Sequence, residues 1–213
     1  MGFMEQLLGQ TAHEPTAEEI FRASRDGLID HLRTGATECN ETLRGMFGAS
    51  YRIDEMAVML GNHHDAMILI TTLIELEGFE LFNAAKDIVA TTPIPSRYAV
   101  QYWFVRTPWD FRIEVMTLGE GFSPIHSALE QQLRMQNHGV GAVHASFKVP
   151  DEEQYAMAVH HLQKNGYALQ QHCKSDYGRF SYFGPVVDYE AEEDETINPW
   201  TIKPRMNLRD GGS

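Results

Sequence analysis

Two ionisable side chains stand where a strand would ordinarily carry an aliphatic residue. Arg112-Ile113-Glu114-Val115-Met116 places a carboxylate, and Val143-His144-Ala145-Ser146-Phe147 an imidazole, in otherwise strand-like apolar runs. Burying such a group is costly unless it is paired or ligates a metal. Successive strand residues point to opposite faces. Glu55, Ala57 and Met59 therefore share a face, as do Arg112, Glu114 and Met116, and again His144, Ser146 and Lys148. The plain reading is an outer sheet face open to water, or an internal salt bridge of Glu114 with Arg112 or Arg97. The chemical reading is acid–base catalysis or metal ligation.

The elements needed to hold these residues recur twice. The first run predicts a strand at 53–60, a polar turn at 62–65, a helix at 66–77 closed by Gly78 and a short strand at 79–82. After the Pro93/Pro95 loop come strands at 98–106 and 111–118, joined by a turn at 107–110. The second predicts a strand at 143–149, a helix opened by Pro150-Asp151-Glu152-Glu153 and closed by Gly166, and strands at 167–172 and 179–183. Gly78-Phe79-Glu80-Leu81 matches Gly166-Tyr167-Ala168-Leu169, each glycine standing where a helix end takes positive φ. Neither βαβββ unit can bury both faces of its sheet, so the two are expected to pair around one cavity in an α+β fold. In that pairing Glu55 and His144 occupy equivalent places in the opening strands. Glu114 lies in the fourth strand of the first unit, and Glu190 is the nearest equivalent in the second. Brought together, the four make an oxygen-rich site with one imidazole, suited to a divalent ion.

The expected organisation is an N-terminal arm (1–50), a first module (51–118), a connector (119–137), a second module (138–195) and a tail (196–213). The arm carries one helix, opened by the capping-box pattern Thr16-Ala17-Glu18-Glu19, striped by Ile20, Phe21, Leu28 and Leu32, and stopped at Gly35. Residues 36–49 give no clear signal. The connector is expected to hold a short helix at 125–133. The acidic run 188–195 reads as a solvated tail, and 198–213, with Lys203, Arg205 and Arg209, as a lid or a loose end.

A formal charge of −13 over 213 residues argues against a surface that tracks nucleic-acid phosphates. No apolar run reaches the roughly 18–20 residues of a membrane span. The opening eight residues lack the basic region of a signal peptide. Cys39 and Cys173 have no metal-like spacing, and a reduced, cytoplasmic setting is expected. His63-His64 and His160-His161 have no partner at i+4 and no HExxH pattern, which favours surface or packing roles. Cys173 beside Lys174 has no surrounding nucleophile pattern. Tyr102, Trp103, Phe104, Phe180 and Tyr182 read as core or cavity wall.

Three stretches carry a resemblance to a known family. They are the second-module opening from His138-Gly139-Val140-Gly141 through Val143-His144-Ala145-Ser146-Phe147-Lys148-Val149, Phe111-Arg112-Ile113-Glu114-Val115 ahead of residues 119–124, and Tyr177-Gly178-Arg179-Phe180-Ser181-Tyr182-Phe183. Over roughly 51–192 the chain resembles the vicinal oxygen chelate superfamily, which includes glyoxalases, methylmalonyl-CoA epimerases and extradiol dioxygenases. The resemblance implies metal ligands on the first and fourth strands of each module. Carried over by position, these are His144, Glu114 and Glu55, where a His is usual, with Glu190 fourth and Glu192 competing for that place. It implies a divalent ion (iron, manganese, cobalt, nickel or zinc) and an isomerase, epimerase or lyase acting on a small carbonyl substrate through a stabilised enolate. Glu55 or Glu190 would be the general base. Arg97, Arg112 and Arg179 would anchor a substrate carboxylate or phosphate, with Tyr102 and Tyr182 at the substrate. The alternatives are a non-haem iron dioxygenase, disfavoured because only one His is placed, and a non-catalytic small-molecule binder. A homodimer is expected on general frequency.

Overall fold

The strand Val140–Lys148 takes its neighbour on each side from a different part of the chain, and this organises the molecule. The protein is described here by a computed structural model over residues 17–60, 62–82, 94–95, 100–118, 140–175, 178–185 and 200–207. In chain order the elements are α1 (Ala17–Phe47), β1 (Ile53–Leu60), α2 (His63–Ile74), β2 (Glu80–Phe82), β3 (Ile94–Pro95), β4 (Val100–Arg106) and β5 (Arg112–Leu118). There follow β6 (Val140–Lys148), α3 (Glu152–Lys164), β7 (Tyr167–Ser175), β8 (Gly178–Pro185) and β9 (Ile202–Asn207).

One sheet runs β2-β4-β5-β1-β6-β9-β8-β7, with β3 paired to β4. β1 lies parallel to β5 and β6 parallel to β9, while β1 and β6 meet antiparallel at the centre. Each half is thus a βαβββ unit, and the two are related by a pseudo-twofold through the β1–β6 seam. The expected α+β class and the pairing of two modules are both observed.

Alternation assigns the faces. Met56, Val58 and Leu60 of β1, Ile113 and Val115 of β5, Ala145 and Phe147 of β6, and Trp103 and Val105 of β4 join the buried core under the helices. The side chains between them form the opposite face, where the polar cluster sits. The helices begin where short side chains cap them. Asn62 accepts from the Asp65 N–H at 2.9 Å and Asp151 from the Gln154 N–H at 2.8 Å, each satisfying a donor the first helical turn leaves free. Gly78 (φ 82°) and Gly166 (φ 84°) follow α2 and α3 at matching places and let the chain turn back into the next strand.

Three expectations are corrected. Helix α1 does not stop at Gly35; it runs to Phe47 through the segment that carried no clear signal. Leu32, Ala36, Cys39 and Leu43 are all buried, and their spacing continues the apolar stripe across Gly35. The second module does not close before residue 195. Its fourth strand is β9, within the stretch expected as a tail. β3 was not foreseen. Arg97, Glu190, Glu192, the connector 119–137 and the acidic run 188–195 lie outside the described residues.

Candidate functional site

Glu55 reaches the site through an irregularity in β1. The register with β6 shifts between Ile53 and Glu55, so Ile53 stays in the core while Glu55 turns to the opposite face. Arg112 is its partner across the parallel β1–β5 ladder, and Ser146 its partner across β6. Arg112 Nε and Nη2 donate to Glu55 Oε2 at 3.0 and 2.7 Å, and Ser146 Oγ donates to Oε1 at 2.8 Å. The Arg112 guanidinium also lies 4.3 Å from the Phe104 ring centroid.

The structure brings Glu55, Glu114 and His144 together, all buried, with one donor atom from each lying within 4.8 Å of the others. His144 Nε2 stands 3.3 Å from Glu114 Oε2 and 3.8 Å from Glu55 Oε1. As a donor set these three could hold a metal ion, for separations of this size suit atoms bound at roughly 2.0–2.3 Å to one centre.

The fourth place is Lys203. In β1 and β5, Ala57 pairs with Glu114; in β6 and β9, Ser146 pairs with Lys203, each 57 residues on. Pseudo-symmetry therefore puts Lys203 where Glu114 stands in the first module. Its Nζ lies 3.1 Å from His144 Nε2, 3.5 Å from Glu55 Oε1 and 3.7 Å from Glu114 Oε2. An ammonium has three donors and no lone pair. It hydrogen-bonds Glu55, contacts His144 and ion-pairs with Glu114, but cannot bind a metal beside them. Two carboxylates, Glu55 and Glu114, are already balanced by two cations, Arg112 and Lys203. With Lys203 in place the four residues together do not fit a divalent ion.

Electrostatics agree with this balance. Burial alone would raise the Glu55 carboxyl, but Lys203, Arg112 and Arg205 with the His144 contact hold it well below the usual carboxylate range. Burial alone would lower Lys203, yet Glu114, Tyr182 and Glu55 push it above its ordinary value, so it stays charged. Asp54, paired with Arg205 at the edge of the cluster, is raised by burial against the pull of that arginine. Glu114 Oε2 and His144 Nδ1 have no hydrogen-bond partner among the described residues.

A cleft of about 140 Å³ opens onto this cluster, lined by Glu55, Arg112, Arg179, Lys203 and Arg205 with the aromatic walls Tyr102, Phe104 and Phe180. Among the described lining residues are four cations and one carboxylate, in a chain of formal charge −13; Arg205 is paired with Asp54. Arg179 pairs with Glu152 and Tyr102 packs edge-on to Phe104. Tyr182 stands edge-on to His144 at 5.2 Å. Of the expected site residues, Glu55, Glu114, His144 and Arg112 converge. Tyr102 and Arg179 line the cleft, and Tyr182 flanks it.

Lys203 was missed as a site residue, as was Arg205, whereas Phe104 and Phe180, read as core or cavity wall, do line the cleft. The available signal was the repeat itself: carrying the spacing of the first module onto the second leads from Ser146 to Lys203, not to Glu190.

The two βαβββ units paired in one sheet around a polar cup are the architecture that the sequence resemblance implied. No family model and no curated protein matches the sequence. Among solved structures, methylmalonyl-CoA epimerase from Mycobacterium tuberculosis is similar at 15% identity and TM-score 0.45, covering 73% of this chain and 87% of that one. A hypothetical protein from Bacillus halodurans is similar at 12% identity and TM-score 0.46, covering 77% and 99%. A Streptomyces coelicolor methylmalonyl-CoA epimerase in complex with 2-nitronate-propionyl-CoA is similar at 14% identity and TM-score 0.46, covering 74% and 97%. Likenesses this distant add nothing on activity. No helix among the described residues is long and apolar enough to cross a membrane.

Proposed function

We propose that the protein is an enzyme of the isomerase, epimerase or lyase kind that moves a proton at a carbon beside a carbonyl in a small anionic substrate. The observation that carries this reading is Glu55, a buried carboxylate at a cation-lined cleft, held between Arg112 and Lys203. At rest it is a poor base, because its partners favour the ionised form. A substrate carboxylate or phosphate that takes the Arg112 fork removes two N–H bonds from Glu55 Oε2 and sets negative charge beside it. Both changes raise its proton affinity. Glu55 then accepts the α-proton, the C–H electron pair becomes the C=C of an enolate, and the oxygen's new negative charge falls to the Lys203 ammonium. Returning the proton to carbon gives isomerisation or epimerisation; expelling a β-substituent gives elimination. Glu114 and His144 hold Lys203 in position. Arg179 is the second anchor for the substrate anion, and Tyr102 and Tyr182 belong to the wall around it.

A divalent ion on Glu114, His144 and Glu55 would supply the same charge only with Lys203 turned out of the cluster. The dioxygenase reading lacks its ligands, since the cluster holds one imidazole and an ammonium among the described residues. A small-molecule binding protein is the second reading, favoured by the completeness of the ion pairs around Glu55.

The test is solvent-deuterium exchange at the α-carbon of 2-oxo and 3-oxo acids. Wild type is expected to exchange, and Glu55→Gln to lose at least about a hundredfold in rate. Undiminished exchange in Glu55→Gln removes Glu55 as the base. A ligand that binds without exchange supports the binding-protein reading instead.

A further inference from the structure

The donors Glu55, Glu114 and His144 form a ligand cluster whose fourth member is a cation. We infer that Lys203 is a built-in replacement for a metal ion: its ammonium completes the cluster, and the native site is metal-free. The inference stands on geometry and does not depend on the reaction proposed above.

Four observations converge. First, the strand register makes Lys203 the counterpart of Glu114, so a cation has taken a position that pseudo-symmetry assigns to a ligand. Second, Nζ is close to one atom from each of the other three members, at 3.1, 3.5 and 3.7 Å. A lysine that merely lay near the cluster would keep its head group in water, as its long stem allows; Lys203 is only 7% exposed. Third, two aromatic rings also lie against the ammonium, with centroids of Phe180 at 5.1 Å and Tyr182 at 5.5 Å. An ion entering the cluster would have to expel Lys203 from three polar partners and two rings. Fourth, the charges already cancel. A divalent ion added beside Lys203 would leave an excess of two positive charges in a buried space, where like charges repel strongly. Lys203 stands where the ion would: with Arg112 it balances Glu55 and Glu114, and its Nζ lies against His144 Nε2.

The prediction is that removing the ammonium uncovers a latent metal site. Wild-type protein expressed with cobalt, zinc or manganese supplements, and purified without chelator, should retain far less than one ion per chain by elemental analysis. Lys203→Glu should retain one ion, show the visible ligand-field bands of protein-bound cobalt(II), and bind that ion at least about a hundredfold more tightly than wild type. Lys203→Gln, which removes the charge and keeps a polar head, repeats the test if the glutamate variant does not fold; near-UV circular dichroism reports folding. Adding Glu114→Gln to either variant should abolish the gain. Two results overturn the inference: a stoichiometric ion in wild type that Glu114→Gln removes, or folded Lys203 variants that bind no more metal than wild type. Deuterium exchange on the metal-free wild type is scored separately. Its absence would sink the proposed reaction and leave the metal-free site standing, whereas a metal-loaded wild type that exchanges would do the reverse.

Discussion

Glu55 keeps its charge in a buried place because Arg112, Ser146 and Lys203 surround its two carboxylate oxygens. Alternation sorted the faces within β1, β5 and β6, because a period of two survives small errors in strand ends, and the expected pairing of the repeats brought Glu55, Glu114 and His144 together. Alternation does not say what stands opposite. Lys203 sits in a stretch that follows an acidic run, and its neighbour Pro204 argues against an interior strand, since proline offers no N–H to a ladder. β9 is nevertheless interior. Its pairs with β8 run from Gly178↔Asn207 to Phe180↔Arg205 and resume at Phe183↔Ile202, so Pro204 falls between them. The consequence for Glu55 is a pH signature. Its folded-state pKa is depressed below its unfolded value, so its ion pairs add stability above the unfolded pKa of about 4.3, and that contribution fades as pH falls toward the lower folded value. The stability difference between wild type and Glu55→Gln, roughly 3 kcal/mol near neutrality, should therefore shrink below about pH 4. Urea titrations of both proteins across pH 3–7 check this, and a difference that stays flat throughout would remove the Arg112–Glu55–Lys203 pairing as its source.

At the scale of elements, helix α1 and the chain leading into β9 fasten one another. Trp200 stacks on His31 with ring centroids 5.1 Å apart and is nearly buried. A Cβ on Gly35 would lie 2.1 Å from Trp200 Cζ2, so this helical position is glycine because the indole lies flat against the backbone. The sequence therefore misled in an instructive way: a glycine that looked like a helix stop is a docking site, and only the partner, 165 residues away, reveals it. Gly35→Ala would gain about 1 kcal/mol of helix propensity on an open surface. Here the indole cannot swing aside without leaving its site, and overpacking of this kind costs about 1–3 kcal/mol. The variant should melt lower than wild type, with altered Trp200 near-UV signal. Since Trp200 is three residues from Lys203, it should also weaken binding at the cleft. An unchanged or higher melting temperature would mean the indole yields freely.

Across the whole molecule, the pseudo-twofold was visible in the matching glycines and in the order of elements, but the seam that joins the halves was not. Which strands of two units meet is decided by the faces they must cover together, and no local pattern records it. The seam is β1 against β6, with Met56 to Leu60 of the one and His144 to Phe147 of the other buried. Phe147 of β6 packs against Phe47 of α1 at 5.7 Å and Tyr51 at 5.9 Å, so the N-terminal helix, the first module's entry and the second module's first strand share one core. Neither module has a core of its own to fall back on, since the buried set runs without a break from Leu32 through Val58 and Ala145 to Ile202. The two halves should therefore unfold as one unit. Trp103 reports the first module and Trp200 the edge of the second, so variants retaining only one of the three tryptophans should show coincident urea transitions. Phe147→Ala should shift both together, costing about 3–5 kcal/mol as a buried aromatic replaced by a cavity. Two separated transitions, or a Phe147→Ala shift confined to Trp200, would show that the modules are independent and that the seam is only a contact between them.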